Sequence, residues 1–325
     1  MRFARWVSHL ASLCALLLPG PAALAQDFPA KQPVRLVVTF APGGGSDTIA
    51  RTLNAKMSEA LGQTVIVENK AGAGGAIATD YVAKSAPDGY NVLFTVSSHS
   101  INQALVPTLP FNTERDLRGV TLIGALPQVL AVHPSVPASN LKELIALGKQ
   151  DPKYLQYASG GIGSPGHFAG ALLQSHGKLN LVHVPYRGAG PAIADVMGGQ
   201  VTAVLGTLSG ILPHIKSGRL KAIAVTSSKR STLIPDVPTI AESGYPGYES
   251  DTWIGTFVPR ATPAEIVARL HAATLAALKD PAVAARMESQ AGLIIGGSPA
   301  ELDALVSREI RQFTQVVREQ GLKPE

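Results

Sequence analysis

Two α/β lobes built on parallel sheets are predicted by three features of this 325-residue sequence. From Pro33 onward, short β-branched runs alternate with longer helical patterns, the mark of βαβ units. The first run, Val34 to Phe40, is almost continuously apolar, as in a strand buried on both faces. Glycine-rich turns stand between strand and helix at four places. The length agrees, since roughly 100–200 residues make one domain.

The elements follow in order. After the first strand come a helix over 47–61, a strand over 64–68, a helix over 76–84 and a strand over 92–96, giving one sheet of at least three strands. A second series begins near Pro127. Its helix spans 141–149, its strands 155–159, 181–184, 203–206 and 220–226, and helices between them start at Pro165 and Pro191. Two long helices dominate the C-terminal part. Thr262-Pro-Ala-Glu265 and Ser298-Pro-Ala-Glu301 each read as a capping box with proline at the first helical position. The second puts Leu302, Leu305, Val306, Ile310, Phe313, Val316 and Val317 on one face and stops at Gly321. Such an amphipathic helix docks on a sheet, and the late helices are expected to return over the first lobe.

Composition removes several function classes. Lys and Arg number 28 against 23 acidic residues, and only 16% of residues are charged, too dilute for a nucleic-acid surface. Gly (32) and Pro (24) interrupt almost every apolar run, which argues against a coiled coil, a disordered chain and a polytopic membrane protein. Arg2 and Arg5 precede an apolar stretch, Leu10 to Leu18, and then Ala23-Leu24-Ala25. This is a secretory signal with cleavage expected after Ala25. The single cysteine, Cys14, lies inside it, so the exported chain would contain no disulfide and no cysteine metal site. Removing two arginines leaves 26 basic against 23 acidic residues, a net +3.

The turns carry the chemistry. Phe40-Ala-Pro-Gly43-Gly44-Gly45-Ser46-Asp47 joins the first strand to a helix. Its glycines allow close backbone approach, and Ser46 or Asp47 can cap the helix whose free N–H groups face the same gap, an anion-binding arrangement at the carboxyl end of a strand. It lacks the Gly-Lys-Ser/Thr ending of a nucleotide P-loop. Ser159-Gly-Gly-Ile-Gly163-Ser164-Pro-Gly-His167 is the second turn. Gly161, Gly163 and Gly166 match G-x-G-x-x-G, but the acidic residue expected about 20 positions later is missing. A carboxylate-binding helix terminus, with Ser159, Ser164 and the amides of Gly163 and Ser164 as donors, fits better. Asn69-Lys-Ala-Gly72-Ala-Gly74-Gly75 suits helix–sheet packing, and Tyr186-Arg187-Gly188 is a fourth turn in which Arg187 could clamp a carboxylate.

Catalytic constellations are scarce. Ile162 stands where a nucleophile elbow needs glycine before Ser164, and the histidines show no H-E-x-x-H or comparable ligand spacing. The alternatives left open are an exported hydrolase pairing Ser164 with His167, a dinucleotide-dependent oxidoreductase, and a sensor subunit that presents its loaded form to a signalling partner.

With these turns in order, the chain resembles the substrate-binding proteins of tripartite tricarboxylate transporters, the Bug family of periplasmic solute receptors. The resemblance lies in Pro33-Val-Arg-Leu-Val-Val-Thr-Phe-Ala-Pro-Gly-Gly-Gly-Ser-Asp-Thr-Ile-Ala-Arg51, Val67-Glu-Asn-Lys-Ala-Gly-Ala-Gly-Gly75, Ala86-Pro-Asp-Gly-Tyr90, Val184-Pro-Tyr-Arg-Gly188 with Pro191, Ala192 and Asp195, and Val237-Pro-Thr-Ile-Ala-Glu-Ser-Gly244. Gln103 departs from the family's usual proline. The resemblance implies a type II periplasmic binding fold, with a signal peptide over 1–25, one lobe from 26–127 and 252–325, the other from 128–251, and a ligand cleft between them. It implies a non-enzymatic, cofactor-free and metal-free monomer that captures a small carboxylate, partly through ordered water, and passes it to membrane permease subunits, with no nucleic-acid partner. Phe40, Gly43, Gly44, Ser46 and Asp47 are expected on one wall of the cleft and Ser159, Gly163, Ser164 and His167 on the other. Ser98, His99 and Tyr186 are expected from neighbouring loops.

Overall fold

The computed structural model describes residues 28–42 and 45–324; the expected export signal and Gly43 and Gly44 of the first turn lie outside the described residues. The chain runs β1 (Val34–Val38), α1 (Gly45–Leu61), β2 (Val65–Asn69), α2 (Ala76–Ala83), β3 (Asn91–Val96), α3 (Ser98–Leu105), α4 (Thr113–Asp116) and β4 (Leu117–Leu126). After Pro127 come β5 (Gln128–Val132), α5 (Leu141–Gln150), β6 (Gln156–Ser159), α6 (Pro165–Gly177), β7 (Val182–Pro185), α7 (Ala189–Met197), β8 (Ala203–Thr207), α8 (Leu208–Lys216) and β9 (Lys221–Val225). The last stretch holds β10 (Thr252–Pro259), α9 (Ala264–Leu278), α10 (Pro281–Ser289), β11 (Leu293–Gly297) and α11 (Pro299–Gln320).

Two sheets result, of order β11-β4-β10-β3-β1-β2 and β7-β6-β8-β5-β9. The sequence pattern predicts parallel sheets, and the parallel strands are where it places them: β1 with β2 and β3, and β6 with β7 and β8. Each sheet is nevertheless mixed. β10 runs antiparallel to β3 and β4, and β5 antiparallel to β8 and β9. Strands β4, β5 and β10 are almost wholly buried, and an apolar run buried on both faces reads the same in either direction.

The chain passes between the lobes where these antiparallel strands begin and end. β4 continues into β5 with only Pro127 between them, and the return path from β9 enters β10 at Thr252. Helices cover both faces of each sheet. On the first sheet α1 and α9 pack with Val34, Leu36 and Phe94, while α2 and α11 pack with Val37, Leu93 and Phe257 on the other face. On the second, α5 and α6 cover one face and α7 and α8 the other.

Helix α11 is capped as its sequence dictates. Ser298 accepts from the Glu301 amide, the Glu301 carboxylate accepts from the Ser298 amide, and Gly321 closes the helix at φ 61°. The second expected capping box, at Thr262, does not form. Pro263 is the cap residue of α9, its carbonyl takes the amides of Ile266 and Val267, and Thr262 Oγ1 is buried with no partner. Nor does α11 stay with the first lobe. Leu302 and Val306 pack on the first sheet, Phe313 meets Phe168 of α6 edge-on at 5.1 Å beside Ile101 and Leu105 of α3, and Val316 enters the core of the second lobe.

Between α11 and the segment leading into β10 lies a cavity of about 710 Å³ bordered by Glu249, Asp251, Trp253, Arg308 and Glu309. Asp251 accepts from the Thr226 hydroxyl (3.3 Å) and Glu309 from the Trp253 indole (2.7 Å). Burial pushes both carboxyls up to about 7. For Asp251 the neighbouring Glu249 and Glu309 add to the rise and Thr226 opposes it. For Glu309 the Trp253 hydrogen bond, the neighbouring Ser100 hydroxyl and Arg308 oppose it, while Glu249 adds to it.

Replacing Phe313 with alanine should cost about 3–5 kcal/mol, seen as a lower urea midpoint, because the ring fills a buried site shared by both lobes. A loss below about 1 kcal/mol would mean that this contact is dispensable. For Glu309 the sign follows from proton uptake. Between about pH 4 and 7 the native state keeps a proton that the unfolded chain has released, so ionisable Glu309 subtracts stability as pH rises through that window. Glu309→Gln retains an acceptor for Trp253 without the charge. Its stability relative to the parent should therefore climb from about pH 4 to about 7 and then level off; urea titrations at stepped pH giving a flat difference would contradict this.

Candidate functional site

A cavity of about 590 Å³ opens between the two sheets. The first lobe lines it with Val96, Leu126 and Thr252 at the ends of β3, β4 and β10, and the second with Gln128 of β5 and Val204 and Leu205 of β8. No Asp, Glu, Lys, Arg or His is among its described lining residues. Apolar surface from Ala192, Ile193, Leu205 and Ile211 alternates with hydroxyls and glycine backbone.

On the first wall, Phe40 and Ser46 border the cavity. Asp47 stands behind them, only 2% exposed. Its carboxylate accepts from Arg51 Nε (2.9 Å) and Asn69 Nδ2 (2.8 Å), Asn69 Nδ2 also donates to the Phe40 carbonyl, and Arg51 Nη2 donates to Asn69 Oδ1. This closed set ties the β1–α1 turn to the end of β2. Gly74 also reaches the cavity, held by Asn102 Nδ2 on its carbonyl, while a Cβ at Gly75 would come 3.1 Å from Thr39. Ser98 lines the cavity from the start of α3. His99 turns away and packs against Phe257, 4.9 Å between ring centroids.

The second wall is the β6–α6 turn. Gly163 and Ser164 line the cavity, and Ser159 and His167 lie beneath them, 0% and 3% exposed. Gly161 (φ 121°) and Gly163 (φ 77°) occupy conformations that L side chains avoid, and a Cβ at Gly166 would sit 2.2 Å from the Leu205 carbonyl. The G-x-G-x-x-G spacing thus meets the needs of a tight turn and of close helix–sheet packing. The two amides expected to serve a ligand are engaged within the turn itself: Gly163 N–H donates to His167 Nδ1 (3.2 Å) and Ser164 N–H to the Gly161 carbonyl (3.2 Å). Ser164 Oγ caps α6 by accepting from the His167 amide and donates to Ser159 Oγ. Tyr186 is absent from the lining; its hydroxyl donates to Asp195 (2.6 Å), which with burial pushes its pKa up to about 12.

Helix starts from both lobes meet at this cavity. α1 brings Ser46, α6 Ser164 to Gly166, α7 Ala189, and α8 Thr207, Ser209 and Gly210. Neither α7 nor α8 has a side-chain cap. First-turn amides have no acceptor inside their own helix, and the helix dipole adds partial positive charge at that end, so the cavity favours an anion without a cation among its described lining residues.

Sequence reasoning missed the α8 start, although Thr207-Leu-Ser-Gly210 follows a strand as the other turns do. It also missed Gln128 and Thr252, for which no local signal exists because only strand pairing brings them to the cleft. The Ser164–His167 pair of the hydrolase alternative is not assembled, since the imidazole receives the Gly163 amide instead of facing the Ser164 hydroxyl. A serine–histidine contact does exist between Ser159 Oγ and His183 Nε2 at 2.7 Å, but Ser159 is wholly buried.

Two α/β lobes around a ligand-sized cleft define a bilobed solute-binding receptor. The chain belongs to the tripartite tricarboxylate transporter receptor family, whose model matches residues 49–322. It is 37% identical to Protein BugT of Bordetella pertussis over 301 residues, 92% of each chain. Among solved structures it is similar to MatC of Rhodopseudomonas palustris with bound malate (34% identity, 89% of this chain and 100% of that one, TM-score 0.74). It is also similar to an R. palustris protein with adipate (33%, 92% and 100%, TM-score 0.77). No helix among the described residues is long and apolar enough to cross a membrane.

Three imidazoles behind the walls should stay neutral. Burial pushes His99 and His167 down to about 3 and His183 to about 4, with His183, stacked 4.1 Å away, adding to the shift of His167. Their ring-proton NMR resonances should therefore hold steady from about pH 8 to about pH 5, where a free histidine titrates. Movement of any of the three with a midpoint near 6.5 would contradict the packing described.

Proposed function

We propose that the protein is a periplasmic receptor that captures a small dicarboxylate in the cleft and delivers it to the membrane permease of a tripartite tricarboxylate transporter. The observation that carries this reading is a cleft, uncharged among its described lining residues, into which helix starts from both lobes project. Family membership supports it, as do the malate and adipate held by two relatives. Export would follow cleavage after Ala25, and the exported chain acts as a monomer without catalysis, cofactor or metal. The lobes are 26–127 with 252–325, and 128–251. Of the residues expected from sequence, Phe40, Ser46, Ser98, Gly163 and Ser164 touch the ligand or its waters, together with Gly43 and Gly44. Asp47, Ser159, His167, His99 and Tyr186 hold the walls in shape.

The mechanism is hinge closure. A ligand that bridges both lobes binds the closed form more tightly than the open one, so its differential affinity moves the population toward the shape the permease recognises. Apolar surface on the second lobe accommodates the carbon chain, while amides and hydroxyls take the carboxylate oxygens.

Calorimetry with a panel of small mono-, di- and tricarboxylates should give micromolar or tighter binding for at least one dicarboxylate. Ser209→Trp, on a half-buried cleft residue without the positive φ that would strain a substituted Gly163, should abolish it. Undiminished affinity in that variant would place the site elsewhere.

A further inference from the structure

At the floor of the cleft, where the chain crosses between lobes, three polar side chains meet that nothing among the described residues satisfies. Gln128 is 1% exposed, Thr252 5% and Ser98 7%, and all three line the cavity. Gln128 Oε1, Thr252 Oγ1 and Ser98 Oγ have no hydrogen-bond partner among the described residues. They are neighbours by construction. Thr252 is the register partner of Leu126, two residues before Gln128, and the amide of Ser97 donates to the carbonyl of Trp253.

The chemistry of the three is unequal. A hydroxyl donates or accepts, so Ser98 and Thr252 can each serve a carboxylate oxygen. Gln128 cannot, because its Nε2 already faces two carbonyls, Pro165 O (3.4 Å) and Ser250 O (3.3 Å), which fixes the amide orientation and leaves an acceptor as its free end. An ionised carboxylate brings acceptors only. A plain dicarboxylate filling this floor would displace water from Gln128 Oε1 and offer it no donor in return, whereas a ligand hydroxyl would complete it. An ammonium group fits less well. The described lining of the cleft offers no carboxylate to balance it, and Asp47 is held by Arg51 and Asn69.

We propose that the ligand carries, besides its carboxylates, a hydroxyl that donates to Gln128 Oε1, so that the receptor selects hydroxylated carboxylates over their deoxy counterparts. This rests on the carboxylate-receptor reading above.

The test is calorimetry of the unmodified exported chain with four matched pairs: lactate and propionate, malate and succinate, 2-hydroxyglutarate and glutarate, citrate and tricarballylate. The hydroxylated member of the best-binding pair should be at least about tenfold tighter, the worth of satisfying one buried acceptor. Gln128→Met should bring that ratio close to one, with its melting temperature checked because the variant also loses the bonds to Pro165 and Ser250. Thr252→Val, which removes only an unpartnered hydroxyl, should weaken both members without changing their ratio. Equal affinity within every pair that binds, or tighter binding of the deoxy member, would overturn the hydroxyl proposal and leave the receptor reading standing. Failure of all eight acids to bind would overturn both.

Discussion

The antiparallel pairing of β4 with β10 is the constraint on which the rest of the molecule depends. These strands are the outgoing and incoming connections of the second lobe, and they are hydrogen-bonded from Thr252↔Leu126 to Pro259↔Leu117. Because the crossings lie side by side, the floor of the cleft is fixed to within a residue of register, and a slip by one would turn Thr252 and Leu126 to the other face. The pairing continues beyond the first sheet through Thr226, whose hydroxyl accepts from the Gln128 amide. Helix α11 then adds a third link, its Phe313 wedged between α3 and α6. A hinge built from paired strands bends as a unit. Opposed helix starts can therefore approach one another without losing their aim.

A cleft whose described lining has no charged side chain is a specific solution to anion binding. Burying a lysine or arginine opposite a carboxylate costs desolvation on both partners, and the gain depends on exact placement. Backbone amides at helix starts are already fixed in direction and have no competing acceptor in their helix, so they offer partial positive charge without a flexible side chain to immobilise. The glycines follow from this. Gly161 and Gly163 bend the β6–α6 turn, and Gly166 lets α6 sit against the carbonyl of Leu205. The mild net charge of the chain is compatible with such a site because its electrostatics are those of oriented dipoles.

Much of this was legible in the sequence where the physics is local. Strand β1 is apolar apart from Arg35 because both its faces are covered, and the turns after β1, β6 and β7 announce themselves by glycine followed by a helical pattern. Ser298 and Glu301 form their capping box because both partners lie within one turn. What could not be read depends on partners distant in sequence. The direction of β5 is set by strands that follow it at a distance, β8 and β9, and that of β10 by pairing across more than a hundred residues, and Gln128 becomes a cleft residue only through the pairing of β5 with β8. Thr262 shows the limit of local motifs, for its residues match those at Ser298 while its hydroxyl is buried unpartnered and Pro263 takes the cap position. Asp47 reads equally as a cap or a ligand contact until Arg51 and Asn69 are seen to enclose it.

The distribution of titrating groups separates ligand recognition from hinge behaviour. Nothing ionisable lines the described part of the cleft, and the imidazoles behind its walls are pushed well below neutral, so the charge presented to a ligand does not change across physiological pH. Asp251 and Glu309, by contrast, are held near 7, and they face the other cavity, between α11 and the strand that re-enters the first lobe. Ionising both would place two further negative charges near the exposed Glu249, with Arg308 as the cation among the described residues at the cavity border. The repulsion acts on the segment that links the lobes. A pH dependence of ligand affinity near neutrality would thus arise from the relative free energies of open and closed forms, with the cleft contacts unchanged.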